Sequence, residues 1–305
     1  MSSPVIPNLV VIGAQKAGST FLAEAIGLHP QVWMYPTEHP YFEDPDYETI
    51  SEASFLKLFE RGRGREIVGF KRPSYLPSRV APDRIANDLP GVKAIAVLRD
   101  PVDRAVSAYY HMMRAGMLPI RPSSEAFRDY LDGKFDDRYA GQRTAIDWGF
   151  YADDLDRWAT VVGRENMLVV TFDRLTKDPE QAMGGVCEFL RIDPARMVSV
   201  RTDRKPMASV KNLTRLRYME RARRLAMTRT HDRMRSNFRG YPGARKVLGL
   251  IDRVDRHALA KVWTARDGKP SKELLGELAE RYRSDVDRLS SEWGLDVSGW
   301  LRQGG

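Results

Sequence analysis

The stretch "LVVIGAQKAGSTFLAEAI", residues 9–26, decides the fold. Apolar residues run straight into a glycine-bounded loop, then two hydroxyl residues, then an amphipathic segment. This is the order strand, turn, helix. Gly13 and Gly18 have the separation of the phosphate-cradling pattern G-x-x-x-x-G-K-S/T, but Ser19 stands where its lysine belongs. The lysine, Lys16, sits inside the loop instead. A strand that turns through glycines into a helix presents unpaired backbone N–H groups to an anion. Ser19 and Thr20 can donate hydroxyl hydrogen bonds there, and Lys16 can add a point charge. Taken alone, the glycines read equally as a tight turn and Ser19 as a helix cap; the full order of strand, loop lysine and hydroxyls favours an anion site.

Outward from this stretch, "REIVGFK", "VKAIAVLRD" and "ENMLVVTFD" read as further buried strands, each bounded by helical patterns. Val- and Ile-rich strands separated by helices predict a largely parallel sheet covered on both faces. Sites in such folds gather at the carboxyl ends of the strands. After about residue 195 helical signals dominate, notably over 271–293, so 195–305 reads as a helical extension of one domain spanning 1–305, with 1–194 as its α/β core. The 305-residue chain carries one cysteine, Cys187, which excludes an internal disulfide and fits a reducing compartment. The N-terminus lacks the pattern of a signal peptide and no run of ~18 apolar residues occurs, so the expectation is a cytoplasmic protein without integral membrane association. The net charge of +8 is concentrated late, between Arg201 and Arg224, and favours anionic partners unless it is a solvated helix face.

A second strand end supplies the partner of the loop. "VLRDPVDRAVSAYY" puts Arg99 at the end of a strand and Ser107 about two turns into the next helix. Arg99 can bind a phosphate with its planar fork, or pair with Asp100 or Asp103; Ser107 can donate to the same group, or serve as a small packing residue. Asp173, ending "LVVTFD", keeps open a strand-end magnesium ligand and hence an ATP-dependent kinase.

"GAQKAGSTFL" and "LRDPVDRAVSAYY" resemble the two cofactor motifs of the sulfotransferases that use 3′-phosphoadenosine 5′-phosphosulfate (PAPS), with product PAP. The likeness extends to "GLHPQVWMYPTEHPYFED", "GFKRPSYL", "DWGFYADDLDRWATVVGRENMLVVTFDRLTKDP" and the closing helix, and is greatest with the branch holding heparan N- and O-sulfotransferases and many bacterial enzymes. The resemblance implies a P-loop-NTPase-like fold: a central parallel sheet flanked by helices, with a helical C-terminal extension. It implies sulfuryl transfer from PAPS to a hydroxyl, less readily an amine, without a metal. Lys16, Ala17, Gly18, Ser19, Thr20 and Phe21 fall on the 5′-phosphosulfate loop, and Arg99 and Ser107 on the 3′-phosphate site. Glu38 matches the family's glutamate base, Lys16 its loop lysine and Lys71 its active-site lysine, which could otherwise be a strand end facing solvent. His39 is the competing base, because an imidazole titrates near ~6.5. The family more usually has proline before this histidine, whereas here His39 precedes Pro40, which sets His39 apart from the pattern. Arg204 and Lys205, in "RTDRKPMASVKN", are candidates for a basic loop closing on the cofactor.

Trp33, Tyr35, Tyr41 and Phe42 either line an acceptor pocket or pack in the core, while Tyr109 and Tyr110 pack the helix after Arg99. The expected acceptor is a small bacterial metabolite or a glycolipid. Two other readings remain: a P-loop small-molecule kinase, opposed by the missing G-K-S/T, and a nonenzymatic nucleic-acid-binding protein using 201–246, for which no recognised binding motif occurs.

Overall fold

The computed structural model describes residues 3–197, 212–230, 236–238, 240, 243–255 and 270–302. Arg204 and Lys205 lie outside the described residues. By its contacts the chain forms two compact units, Met1–Asp100 with Phe150–Lys205 and Asp285–Gly299, and Pro101–Gly149 with Pro206–Ser284 and Trp300–Gly305.

The first unit is built on five parallel strands in the order β2-β3-β1-β4-β5: β1 Leu9–Gly13, β2 Val32–Glu38, β3 Ile67–Lys71, β4 Lys93–Leu98 and β5 Met167–Thr171. β1 lies in the centre, with Leu9 to Ile12 fully buried, and β4 is buried from Ala94 to Leu98. Strands covered on both faces carry continuous apolar runs, which is why these two are plain in the sequence. From β1 the chain runs out to β2 and β3 on one side and returns to β4 and β5 on the other. The crevice beyond the carboxyl end of β1 is therefore the switch point at which such sheets bind ligands. Helix α1, Ser19–Ile26, leaves that point and buries Leu22, Ala23, Ala25 and Ile26.

β2 is a strand that the sequence pattern does not reveal. It is an edge strand, half-buried to exposed after Val32, and it carries Pro36. A proline lacks the ladder donor and is tolerated at an edge, so the residue that obscures the strand in the sequence marks its position in the sheet. Its pairing with β3 runs from Val32↔Ile67 to Met34↔Gly69, breaks, and resumes at Glu38↔Lys71. The Ala152–Val162 helix packs through Trp158, fully buried, whose indole donates to the carbonyls of Tyr75 and Leu76.

The second unit is helical, with Pro101–Ala115, Ser123–Leu131, Gly141–Asp147, Leu213–Arg223 and Ala244–Val254, and a short antiparallel pair, β6 Met227–Arg229 with β7 Ser236–Phe238. The helix Lys272–Ser291 belongs to this unit through Ser284. Three-residue strands leave too short a period to register in sequence, so the hairpin is absent from the helical expectation for this region. Tyr109 and Tyr110 are buried in this unit, their hydroxyls donating to the Arg121 carbonyl and to Ser123 Oγ respectively. Arg104 is fully buried, with its Nη2 donating to the Ala145 carbonyl at 2.6 Å.

Candidate active site

The loop after β1 is shaped by close approach. Gly13 and Gly18 both lack room for a side chain: a Cβ at Gly13 would lie 2.8 Å from Leu76 Cβ, and one at Gly18 2.9 Å from the Phe172 ring. Gly18 also has φ 98°, and Lys16 has φ 68°, both left-handed. A lysine seldom takes that conformation, which marks the loop as one held in place by its surroundings. Gly18 is the N-cap of α1 and no side chain caps the helix. The first-turn N–H groups thus point out of the loop without a side-chain acceptor, the arrangement in which helix starts hold phosphate. Ala17 is buried, Phe21 is half-buried, and Ser19 Oγ turns back to the Ala14 carbonyl at 3.5 Å. Thr20 is exposed at the head of the helix.

Next to this loop the ends of β2 and β3 bring two residues together. Glu38 and Lys71 pair across the sheet, and Lys71 Nζ donates to Glu38 Oε1 at 2.6 Å and to Thr20 Oγ1 at 2.8 Å. The Lys71 side chain is 12% exposed, so it is turned onto these partners and not to solvent. One lysine therefore bridges the candidate base and the head of helix α1.

Three further residues, Arg72, Glu43 and Ser74, join this group, and the sequence does not single them out. Arg72 Nη1 lies 3.5 Å from Glu38 Oε2, while its Nε and Nη2 donate to Glu43 at 2.8 and 2.6 Å. Ser74 Oγ donates to the same Glu43 carboxylate. A pairing between residues 29 apart has no local signature; the sequence shows only a basic pair, Lys71 at the end of β3 and Arg72 just after it.

His39 has a different environment. Its ring packs against Tyr35 and Phe55, with centroids 6.3 and 5.6 Å away. Nδ1 is buried and finds no hydrogen-bond partner among the described residues. Burial pushes the imidazole below its ordinary pKa, assisted by Arg72 and opposed by Asp46. Tyr41 and Phe42 are buried in an aromatic cluster with Phe55 and Phe70, so these two belong to the core, whereas Trp33 and Tyr35 are half-buried on β2.

Arg99 follows β4 directly. Its guanidinium lies over the Phe172 ring, 5.0 Å from the centroid, and its carbonyl accepts from the Tyr151 hydroxyl at 3.0 Å. Phe172 thus touches both strand-end motifs: Gly18 packs on its ring and Arg99 stacks over it. The sequence offered "TFD" only as a possible site for Asp173, which is half-buried in the short helix after β5. Ser107, in the second unit, is half-buried on the Pro101–Ala115 helix. Among the described residues no group of three or more His, Cys, Asp or Glu could hold a metal ion, and no helix is long and apolar enough to cross a membrane.

Comparison with known proteins tests this picture. A family model described as "Sulfotransferase domain" matches residues 7–246. The chain is 34% identical over 190 residues to human heparan sulfate glucosamine 3-O-sulfotransferase 3B1, covering 62% of this chain and 47% of that protein. It is 36% identical over 186 residues to human heparan sulfate glucosamine 3-O-sulfotransferase 6, covering 60% and 52%. The chain therefore spans about half the length of the curated relatives it matches. A sulfotransferase from Alicyclobacillus acidocaldarius, 21% identical, superposes with a TM-score of 0.63 over 98% of this chain and 100% of its own. That likeness shows the fold, a P-loop-NTPase-like parallel sheet flanked by helices. The family match, in contrast, runs through the loop after β1, the ends of β2 and β3 and the segment after β4, and on that ground the chain belongs to the PAPS-dependent sulfotransferase family.

Proposed function

We propose that residues 1–305 act as one sulfotransferase domain, moving the sulfuryl group of PAPS by in-line displacement onto a hydroxyl, less readily an amine. The observation that carries this reading is Lys71, which grips Glu38 and reaches Thr20 at the head of α1. An acceptor hydroxyl must lose its proton as it attacks, so a base has to lie beside the donor site. Glu38 is that base and Lys71 holds its carboxylate toward the loop. His39, packed among aromatic rings, is the weaker candidate.

PAPS, when bound, supplies the activated sulfuryl group. The loop fits its 5′ end: a helix start without a side-chain cap, a left-handed glycine, and Lys16 within the turn. Lys16, Ala17, Gly18, Ser19, Thr20 and Phe21 hold this end, and Lys16 with the Thr20 or Ser19 hydroxyl counters the charge that grows on the leaving oxygen. Preorganised donors of this kind contribute about a hundredfold or more each in rate. Arg99, stiffened by Phe172, and Ser107 take the 3′-phosphate. A sulfuryl group bears less charge than a phosphoryl group, so these cations do the work of a magnesium clamp and no metal is required. Arg204 and Lys205 remain proposed cofactor contacts.

The named relatives are heparan sulfate enzymes; here we propose a small metabolite or glycolipid acceptor. The single, buried Cys187 fits a cytoplasmic setting. The test is stabilisation by PAP followed by acceptor screening with labelled PAPS. PAP should raise the melting temperature, and absence of any shift overturns the reading. Glu38→Gln should still bind PAP while turnover falls at least a hundredfold; loss of both would remove Glu38 from the role of base.

A further inference from the structure

Glu38 is held at both of its oxygens. Lys71 donates to Oε1 at 2.6 Å, and Arg72 Nη1 stands 3.5 Å from Oε2. The two contacts differ in kind. Lys71 makes a short, charge-assisted bond, whereas Arg72 is at the limit of one. Arg72 is not free to close that gap, because Nε and Nη2 are engaged by the two oxygens of Glu43 in the bidentate fork that guanidinium favours. Glu43 is fixed in turn by Ser74, and its side chain is only 18% exposed. The result is a chain of alternating charge, Lys71–Glu38–Arg72–Glu43, that ends on a hydroxyl at each side, Thr20 and Ser74.

We propose that Arg72, clamped by Glu43 and Ser74, is a positioning residue that presents Oε2 of Glu38 to the acceptor. The inference rests on the reading of Glu38 as the base. With Oε1 occupied by Lys71, Oε2 is the oxygen open to receive the acceptor's proton. A glutamate side chain that is 39% exposed and held at one oxygen still rotates about its terminal bond. The Arg72 cation beside Oε2 stops that rotation without sealing the oxygen, because the clamp on Glu43 keeps it at arm's length. A lysine in its place has one donor point and cannot both bind Glu43 in a fork and face Glu38.

The probe for the test is water in place of the acceptor: hydrolysis of PAPS, read as PAP release, together with PAP affinity and melting temperature. In Arg72→Ala, kcat should fall at least tenfold while KM for PAPS and the Kd for PAP stay within about threefold, and added guanidinium should restore part of kcat. Arg72→Lys should not recover it. Glu43→Gln, which preserves shape and loosens the clamp, should lower kcat in the same direction and covers the case in which Arg72→Ala folds poorly. Wild-type kcat in folded Arg72→Ala and Glu43→Gln overturns the proposal, as does a kcat loss matched by equal loss of PAP binding. Glu38→Gln separates the two readings. If it keeps hydrolysis, the assignment of the base has failed; if it loses hydrolysis while the Arg72 and Glu43 variants do not, only the positioning role has failed.

Discussion

Gly18 carries a left-handed backbone, φ 98°, and a methyl group there would press on Phe172 at 2.9 Å. Both demands act on one residue, so alanine is strained twice, by its backbone and by its contact. Mutations that force a side chain into such a conformation cost more than about 1 kcal/mol. The ring that would have to yield also carries the Arg99 guanidinium. Gly18→Ala should therefore lower the melting temperature and weaken PAP binding at least tenfold, in contrast to Glu38→Gln, which leaves PAP binding intact; thermal unfolding with and without PAP measures both. At this scale the sequence is legible where chemistry is local. Lys16 inside the loop and Arg99 at a strand end are visible in their own motifs. Glu43 and Arg72 are not, because their meaning lies in a contact across 29 residues that only the folded sheet creates.

Helix Pro101–Ala115 is joined to Gly141–Asp147 by a buried cation. Arg104 Nη2 donates to the Ala145 carbonyl at 2.6 Å and approaches the Ile146 carbonyl at 3.5 Å, and the Tyr282 hydroxyl donates to the same Ile146 oxygen at 2.7 Å. Arg104 Nε and Nη1 find no hydrogen-bond partner among the described residues. Truncation removes a large buried side chain and leaves the Ala145 carbonyl short of its donor. Arg104→Ala should destabilise the protein by about 3–5 kcal/mol, in the range of large-to-small core changes. Arg104→Met should recover part of that loss by refilling the space while ending the burial of an under-satisfied charge. Denaturant unfolding of the three proteins measures the order. β1, β3, β4 and β5 read as apolar runs, β5 even though it is the other edge strand; β2 does not, because its last three residues are exposed and one of them is Pro36. Hydropathy reports burial, which β5 keeps at Met167, Val170 and Thr171 and β2 loses after Val32.

The whole molecule couples its stability to pH through carboxylates it has buried. Asp154 is pushed up to about 6 by burial, against the pull of Arg157, and burial also raises Asp147 and Asp285. Asp285 accepts from the Tyr151 and Ala152 amides at 2.8 and 3.0 Å and thereby starts the Ala152–Val162 helix from a distant point in the chain. Each folded value lies above that of the unfolded chain, about 3.9, so the native state holds more protons in between. The stability these groups contribute is complete below about pH 4 and is lost as pH climbs through their folded values, near 6 for Asp154. Asp154→Asn should flatten this dependence: relative to wild type its melting temperature should gain on the order of 2 °C or more between pH 4.5 and 7.5. None of this is visible in the sequence, where an aspartate in "YADDLDRW" looks like an ordinary solvated helix residue. The change of pattern near residue 195 marks a change of element type. The division into compact units is set by contacts between distant segments, which a linear reading does not contain.

The break in the ladder between Met34 and Glu38 spends four residues on β2 where β3 advances by two, from Gly69 to Lys71. Such a bulge leaves the extra residues unpaired and bends the strand locally. Exchanges within Tyr35, Pro36 and Thr37 would leave the pairing of Val32–Met34 undisturbed, whereas an insertion there would move Glu38 out of register with Lys71. Side chains of these three residues can therefore change while β1 and the start of α1 keep their own pairing and packing, so the two sides of the sheet's carboxyl end vary independently.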